Sequence, residues 1–423
     1  MSILSLNIRK NEIFVVFVLV ISAVSFLAQL GSLVWHVKLG EFVVVRDIIL
    51  VMSFGGLIPM AWLHCSGRIQ LSVIIIILSS VALVSLTLFG YDPSIVIQFK
   101  WLIIWAVSYL MGGVLIRFGW SHILWSLVII VMSYVLILGM ACLWEVSTGN
   151  YVISADYGTT SYSGADLAVS QKLKLGADSS LRARGFERSV FSAADVLSVG
   201  VLLSVAACIH SRGGRRVLLS SYALVNCIII IISGGRSQFI GLILATVFAI
   251  GIFIRIPRRW FVPALASAFL LLALIISFMG IGTVIGWVQD VSPIESRILN
   301  SGSAYMRDDV WGLKMEEVHA DYGSILIGHV LLTAFEGGES FKICDNQYLW
   351  VLYHYGYVLG GGILLFFMYI LYGLAGSRSC YSFFALILIF YLMGNGLARE
   401  SLFFFGSSMA ALFIGANTQA ESS

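Results

Sequence analysis

The sequence predicts an all-α polytopic membrane protein with about 12 transmembrane helices and two long polar loops. Hydrophobic residues make up 59% of its 423 residues and charged residues only 11%, whereas soluble proteins carry about 25% charged residues. The mean hydropathy is +0.97, which favours one integral membrane domain over residues 1–423. The net charge of +3 is small and forms no single basic patch in the sequence, so no nucleic-acid partner is expected.

Apolar segments recur along the whole chain. A helix that crosses the hydrocarbon core of a bilayer needs about 20 consecutive apolar residues. Twelve segments meet or approach this length: 13–35, 41–63, 70–90, 99–116, 122–145, 190–209, 217–233, 238–256, 261–287, 347–374, 380–395 and 401–416. The first segment has no small-residue cleavage site after it, which favours a retained helix over a signal peptide.

Lysine and arginine are unequally distributed between alternate connections. With the N-terminus placed inside, the short inner connections hold eleven of these residues, and the short outer connections and helix ends hold five. Because inner loops are enriched in basic residues, this bias predicts that both termini are cytoplasmic. The two long loops, 146–189 and 288–346, then lie outside. We expect the chemistry there, because long loops in compact domains are often functional.

The first long loop ends in a basic stretch. Arg182 and Arg184 come directly before Gly185 and Phe186, just ahead of the helix predicted at 190–209. This stretch is either a solvated basic run or an anion site. A glycine lets the backbone approach a ligand closely, and a helix N-terminus favours an anion. These two features favour the anion site for Arg182 and Arg184.

The turn between the segments at 217–233 and 238–256 carries Arg236 after two glycines. A charged residue at the end of a membrane helix is costly unless it pairs or reaches water. An arginine that only reaches toward the headgroups is more typical of the inner side, and this turn is predicted outside. The alternative hypothesis is an anion ligand held by a rigid turn.

The second long loop contains a helix predicted at 303–319. Arg307 and Trp311 are four residues apart and share a face of this helix. Arg307 either pairs with a neighbouring carboxylate or binds an anion. Glu316, Glu317 and His319 follow further along the helix and are reserve candidates for acid–base chemistry.

The same loop closes with Asp345, Asn346, Gln347, Tyr348 and Leu349, directly before the segment at 347–374. Asp is a common N-cap residue, so one role for the first of these is to cap the next helix. Its carboxylate is equally suited to a general base that accepts a proton from a hydroxyl group. The two roles do not exclude each other.

Six cysteines occur without a CxxC pair and without zinc-ligand spacing. They are Cys65, Cys142, Cys208, Cys227, Cys344 and Cys380. Most fall in or beside apolar segments, where cysteine behaves as a small hydrophobic residue. We therefore predict neither a metal site nor a cofactor.

Three outside elements thus present arginine, and the second long loop adds carboxylates. Arginine binds phosphate oxygens bidentately and keeps its charge at all relevant pH values. This combination suits a lipid-linked phosphate or pyrophosphate at the outer membrane surface, within reach of membrane lipids. A carboxylate among the arginines suits a general base for a sugar hydroxyl.

The sequence resembles the superfamily of O-antigen polymerases and O-antigen ligases over residues 180–360. Four motifs carry the resemblance, in matching order and on the same predicted side of the membrane. They are residues 182–186, with Arg182, Arg184 and Gly185; Gly235-Arg236-Ser237, with Gly235 in place of the usual Ser; Arg307 with Trp311; and Asp345 to Leu349 followed by Gly356.

The resemblance implies a C-type glycosyltransferase fold and a metal-independent, inverting transfer from an undecaprenyl-pyrophosphate-linked oligosaccharide. Catalytic roles would fall to Asp345, Arg307, Arg236 and Arg182. Substrate contacts would fall to Arg184, Gly185, Asn346, Tyr348, Trp311 and His319. The implied location is the bacterial inner membrane, with both long loops in the periplasm, and a polysaccharide chain-length regulator is the implied protein partner.

Two alternatives stay open at the level of sequence. Ligases of the superfamily typically carry His in the closing motif, whereas this chain has Asp345, which favours a polymerase. A lipid-linked oligosaccharide flippase or another transporter is the more distant alternative. Transporters often show repeat symmetry and ionisable residues near the bilayer middle, and the long loops after the fifth and ninth segments break any six-plus-six symmetry.

Overall fold

The computed structural model describes residues 2–30, 38–39, 43–88, 93–150, 152, 183, 185–187, 190–233, 238–279, 302–320, 322–328, 346–397 and 405–422. These ranges contain fourteen α-helices and one pair of two-residue strands. The first nine helices are α1 Ser2–Leu27, α2 Val45–His64, α3 Gly67–Leu88, α4 Pro93–Arg117, α5 Ser121–Thr148, α6 Val190–His210, α7 Gly214–Ser233, α8 Gln238–Phe253 and α9 Arg258–Met279.

The remaining helices are α10 Gly302–His319, α11 Tyr322–Ile327, α12 Gln347–Gly376, α13 Cys380–Gly396 and α14 Phe405–Ala420. The strands β1 Lys38–Leu39 and β2 Val43–Val44 pair antiparallel before α2. This short pair is the exception to the all-α prediction within the described ranges. The helix predicted at 303–319 is confirmed as α10.

Each predicted apolar segment coincides with a helix, although two are shifted. The first helix covers Ser2–Leu27 instead of 13–35, because polar residues continue the helix towards the N-terminus and a turn at 28–30 ends it. The last covers Phe405–Ala420 instead of 401–416. Hydropathy locates an apolar segment but not its helix ends, which depend on backbone hydrogen bonds.

Six of the described helices are long and apolar enough to cross a membrane: α2, α5, α6, α7, α9 and α12. Shorter apolar helical stretches lie in α1, α3, α4, α8 and α13. Large apolar side chains are exposed along many of these helices, as expected where lipid replaces water as the solvent. By helix length and composition, the chain is a helical membrane protein.

Helix α13 forms the centre of the bundle, since every residue from Ser382 to Gly396 is buried. A helix that is apolar on all sides is expected in such a position. Its contact with α8 is close enough to require glycine: a Cβ on Gly394 would lie 2.7 Å from Gly241 Cα. Helix α14 packs beside it against α4, where Gly415 lies against the Tyr109 backbone.

Polar contacts define two ends of the bundle. At one end, the Tyr391 hydroxyl near the end of α13 donates to Asp195 Oδ1 in α6 (2.9 Å), and the Gly406 N–H of α14 donates to Asp195 Oδ2 (3.1 Å). The Tyr348 hydroxyl at the start of α12 donates to the Met393 carbonyl (2.9 Å). This end, which carries the residues that flank both long loops, is called the loop end below.

The opposite end is called the arginine end. There the Ser66 N–H, between α2 and α3, donates to Gln419 Oε1 of α14 (3.0 Å). The Ser377 hydroxyl, between α12 and α13, donates to Asn417 Oδ1 of the same helix (2.8 Å). The connections that precede α3 and α13 therefore lie together, away from the loop end.

Candidate functional site

The predicted arginines fall largely outside the described residues. Arg182, Arg184, Arg236 and Asp345 lie in ranges that the structure does not describe. Arg307 lies in α10, but its side chain is outside the described part of the molecule. The described residues beside these positions form the surroundings of the predicted site.

The segment around Gly185 lies against α5 at the loop end. Gly185 has φ of +55°, and a Cβ there would lie 2.7 Å from Leu138 Cδ1, so glycine is needed on both counts. Its N–H donates to Glu145 Oε2 (2.9 Å), and Glu145 Oε1 accepts from the Val152 N–H (3.0 Å). The close approach of this glycine is to α5, and its predicted approach to a ligand stays a prediction.

Buried carboxylates surround this segment and were not singled out as site residues from the sequence. Glu145, Glu187 and Asp195 are all fully or almost fully buried. Glu187 accepts from the Tyr134 hydroxyl (2.7 Å) and the Ser192 hydroxyl (3.0 Å). A buried carboxylate is stable only with partners, and acidic residues beside apolar segments were the signal that could have identified these.

The turn that carries Arg236 is flanked by described residues of the loop end. Helix α7 ends at Ser233 and α8 begins at Gln238. Gln238 is buried, and Gly241 one turn later packs against the Tyr391 backbone and ring. The connection at 234–237 is thus attached at the same end of the bundle as the Gly185 segment.

Helix α10 packs on the first turns of α12. Trp311 is buried with Leu349, Trp350 and Val351, and Val318 is buried with Tyr353. Helix α10 and the closing motif are therefore in direct contact, through Trp311 and the start of α12. By helical spacing, position 307 lies on the same face of α10 as Trp311.

A lysine that was not singled out as a site residue lies inside this interface. The Lys314 side chain is only 2% exposed, and its Nζ lies 3.2 Å from Glu317 Oε2 and 4.0 Å from the centroid of the Tyr353 ring. Glu317 Oε2 also accepts from the Tyr353 hydroxyl (2.7 Å). Glu317 therefore stabilises a buried cation, which makes it less suited to the general-base role held in reserve for it.

Two buried nitrogens near this lysine have no hydrogen-bond partner among the residues that the structure describes. His354 stacks on Trp350 with ring centroids 4.1 Å apart, and its Nδ1 lies 2.9 Å from the Trp350 carbonyl. His354 Nε2 and Trp311 Nε1 are the unpartnered atoms. An unsatisfied buried polar atom is costly, and both lie where the long-loop helix meets α12.

The start of α12 corrects one sequence-based hypothesis. The N-cap of this helix is Asn346, whose Oδ1 accepts from the N–H groups of Tyr348 (2.9 Å) and Leu349 (3.1 Å). The capping role considered for Asp345 thus belongs to the next residue, because the chain turns helical only after Asn346. Asn346 Nδ2 also donates to Ser277 Oγ of α9 (2.9 Å).

Helix α12 is kinked at Gly356, which has φ of +64° and ψ of −170°. A Cβ on Gly356 would lie 2.6 Å from Gly328 N, and a Cβ on Gly328 would overlap the His354 carbonyl. Gly328 directly follows α11. The backbone at the end of α11 is therefore in direct contact with the backbone of α12. Beside it, exposed His319 Nε2 lies 3.0 Å from the Tyr357 hydroxyl.

Comparison with protein-family models, curated proteins and solved structures finds no match. Among the described residues, no group of three or more His, Cys, Asp or Glu side chains could hold a metal ion. The described residues form a set of polar contacts at the loop end, next in the chain to the connections that carry the predicted arginines.

Within this set, four of the six predicted substrate-contact residues fall into two groups. Asn346 and Tyr348 are buried and use their polar side-chain atoms in contacts with Ser277, the α12 backbone and Met393. Trp311 Nε1 and His319 Nε2 lie on the side of α10 that faces α12. The first group supports the scaffold, and a ligand-contact role for either group stays a prediction.

Proposed function

We propose that the chain is a polymerase that joins undecaprenyl-pyrophosphate-linked oligosaccharide repeat units into O-antigen or a related surface polysaccharide. The observation that carries the proposal is the common location of the motif flanks. Gly185, Ser233 and Gln238, Trp311 and Asn346 all belong to, or border, the loop end. A site for a lipid-linked pyrophosphate needs these elements on one side of the membrane.

In the proposed topology, α1 to α9 and α12 to α14 cross the bacterial inner membrane, which gives twelve spans. Helices α10 and α11 belong to the second periplasmic loop and rest on α12. The bias of eleven basic residues against five supports cytoplasmic termini. The loop end then faces the periplasm.

The proposed reaction breaks the bond between the first sugar of the growing chain and its pyrophosphate. A new glycosidic bond forms to a hydroxyl of the incoming lipid-linked unit, and the hydroxyl proton passes to a general base. Arg182, Arg236 and Arg307 would stabilise the charge that develops on the departing pyrophosphate. Asp345 would accept the proton, one residue before the helix cap at Asn346.

The contacts of α10 support this assignment physically. Arg307 and Trp311 lie on one face of that helix, and Trp311 is buried against Leu349 of the closing motif. The motif is thus held next to the loop helix by packing, which limits its freedom relative to position 307. Such preorganisation is what charge stabilisation in a transition state requires.

The test is a lipopolysaccharide gel of a strain that lacks this gene, complemented with wild type, Arg307→Ala or Arg378→Ala. The last is a control, since Arg378 is an exposed residue of the arginine end. We expect core capped with a single repeat in the deletion strain and with Arg307→Ala, and a full ladder with wild type and Arg378→Ala.

Other band patterns would overturn the proposal in distinct ways. Bare core with polymer on its lipid carrier would identify a ligase. Bare core with lipid-linked units retained inside the cell would identify a flippase. Full activity of Arg182→Ala, Arg236→Ala and Arg307→Ala, each alone, would remove the arginines from the mechanism.

A further inference from the structure

Six arginines lie in, or directly after, two neighbouring connections at the arginine end, between α6 and α7 and between α8 and α9. We call them the arginine patch: Arg212, Arg215, Arg216, Arg255, Arg258 and Arg259. All are exposed except Arg258, which is half-buried. Arg216 Cζ lies 5.7 Å from the centroid of the Phe253 ring, so the start of α7 contacts the end of α8.

A second contact joins the two connections through α13. Arg258 Cζ lies 5.3 Å from the centroid of the Phe383 ring, and the same ring lies edge-on to His210 at 5.5 Å. The end of α6 and the start of α9 therefore share Phe383. The arginine patch is one continuous surface, held in place by two cation–π contacts.

The positive charge of this surface is not neutralised by neighbouring carboxylates. The sequence has no Asp or Glu between Asp195 and Asp290. Within the described ranges, none of the six arginines forms an ion pair, whereas Arg68 at the same end lies 3.4 Å from Glu421. Helices α7 and α9 also begin in the patch, and helix N-termini add partial positive charge.

The surroundings of the patch are apolar and exposed, as at a membrane surface. Trp260 is 79% exposed and follows Arg259 directly, and Phe253 and Ile254 are exposed at the end of α8. Tryptophan is enriched where the headgroups meet the hydrocarbon core. Guanidinium groups beside exposed apolar side chains match a ligand that has both a phosphate and acyl chains, rather than an acidic protein segment.

We propose that the arginine patch is a binding site for the phosphate headgroups of anionic phospholipids in the leaflet at the arginine end. Arginine is suited to this role because its planar guanidinium binds phosphate bidentately, and basic clusters next to membrane helices attract anionic lipid. The site is at the opposite end from the proposed catalytic residues. It does not depend on the polymerase proposal.

The test measures lipid retained by the full-length protein in detergent, by native mass spectrometry during titration with phosphatidylglycerol or phosphatidylcholine. The variant Arg212→Gln/Arg215→Gln removes two exposed charges of the patch. The matched control Arg68→Gln/Arg378→Gln removes two charges from the same end but outside the patch. Thermal unfolding of all three proteins establishes that they are equally folded.

We expect wild type and the control to prefer phosphatidylglycerol, with affinities within about twofold of each other. The patch variant should bind it about tenfold more weakly or worse, since each arginine near an anionic headgroup contributes substantially. Equal weakening in both variants, or no preference over phosphatidylcholine, would overturn the proposal. So would equally tight competition by inorganic phosphate, or by an acidic peptide, because either would identify a different ligand class.

Discussion

At Lys314 the interface between α10 and α12 buries a full positive charge beside a partly exposed carboxylate. The Lys314 side chain is 2% exposed and that of Glu317 is 28% exposed. Removal of Glu317 is therefore expected to lower the free energy of unfolding more than removal of Lys314. Losing the carboxylate leaves a charge in a dry interface, whereas losing the lysine leaves a carboxylate that water can reach.

We therefore predict that Glu317→Gln lowers the free energy of unfolding by about 2–3 kcal/mol. Lys314→Met should change it by less than about 1 kcal/mol, because a buried ion pair can often be replaced by an apolar residue of similar size. The double variant should recover most of the loss. Thermal unfolding in detergent measures all three.

Glu316→Gln is the matched control for this series, since Glu316 is the neighbouring and exposed carboxylate of α10. It should stay within about 0.5 kcal/mol of wild type, as surface substitutions usually do. If the Glu316 and Glu317 variants unfold alike, the buried pair has no special role in attaching α10.

Asn346 gives a second prediction at the level of single residues. Its side chain caps α12 and also donates to Ser277 Oγ, so Asn346→Ala should cost at least the value of about 1 kcal/mol that is typical of a lost cap. Asn346→Ser keeps a good capping residue and should lose less. A thermal shift that is the same for both variants would argue against the cap as the source of stability.

Among the helices, α12 is the element on which the long-loop helices rest. Its kink at Gly356 lets the backbone of Gly328, just after α11, come into direct contact with it. A regular helix would not allow this backbone contact, because its side chains would cover its surface. The kink thus provides the contact surface for the segment from Tyr322 to Gly328.

We predict that Gly356→Ala severely lowers the yield of folded protein, because alanine is strained at φ of +64° and its Cβ would meet Gly328 and Leu326. Gly361→Ala is the control in the same helix. A Cβ at Gly361 would meet nothing within 4 Å, so this change should be neutral or stabilise by up to about 1 kcal/mol. Size-exclusion profiles of the purified variants measure both, and a normal profile for Gly356→Ala would contradict the role of the kink.

For the whole molecule, cysteine labelling tests which end of the bundle faces which side of the membrane. The proposed topology puts Cys344 outside, in the second long loop, and Cys380 inside, at the start of α13. In single-cysteine variants, a membrane-impermeant maleimide added to spheroplasts should label Cys344 and spare Cys380 until the membrane is permeabilised. The reverse pattern would invert the topology and, with it, the periplasmic site.

Cys65 gives an internal standard for this labelling. Burial raises the pKa of its thiol to about 11, partly offset by the charge of Arg117. Because only the thiolate reacts, a single-cysteine Cys65 variant should label slowly at neutral pH in permeabilised cells. Its rate should rise with pH until the pH approaches that pKa, whereas a rate that levels off near pH ~8.5, the ordinary pKa of cysteine, would show that burial does not raise the pKa of this thiol.

Much of the fold was predictable because hydropathy is a local property of the chain. Runs such as 122–145 and 347–374 became α5 and α12, and the helical spacing of 303–319 became α10. Helix ends were less predictable, as α1 shows, because they depend on hydrogen bonds that form only in the folded chain. The cap at Asn346, one residue from the position considered, is an error of the same kind.

The candidate site was predictable only in outline. Gly185, Trp311 and the closing motif are among the motifs that carry the resemblance. Their described residues lie at the loop end, and a shared site for them stays a prediction. Lys314, Glu145 and Asp195 were not singled out as site residues. The position of Glu145 and Asp195 beside apolar segments is a signal for such residues, but the sequence alone does not distinguish a buried charge from a solvated one. Their burial depends on which helices pack over them.

The sequence by itself determined that the chain is a helical membrane protein, which of its segments are apolar, and which connections are long and polar. These properties follow from the cost of transferring each residue into lipid, and that cost sums along the chain. The tertiary structure alone decided which charges are buried and what pairs with them. Asp195 and Tyr391 are 196 residues apart yet share a hydrogen bond, and such a contact exists only because α6 and α13 pack side by side.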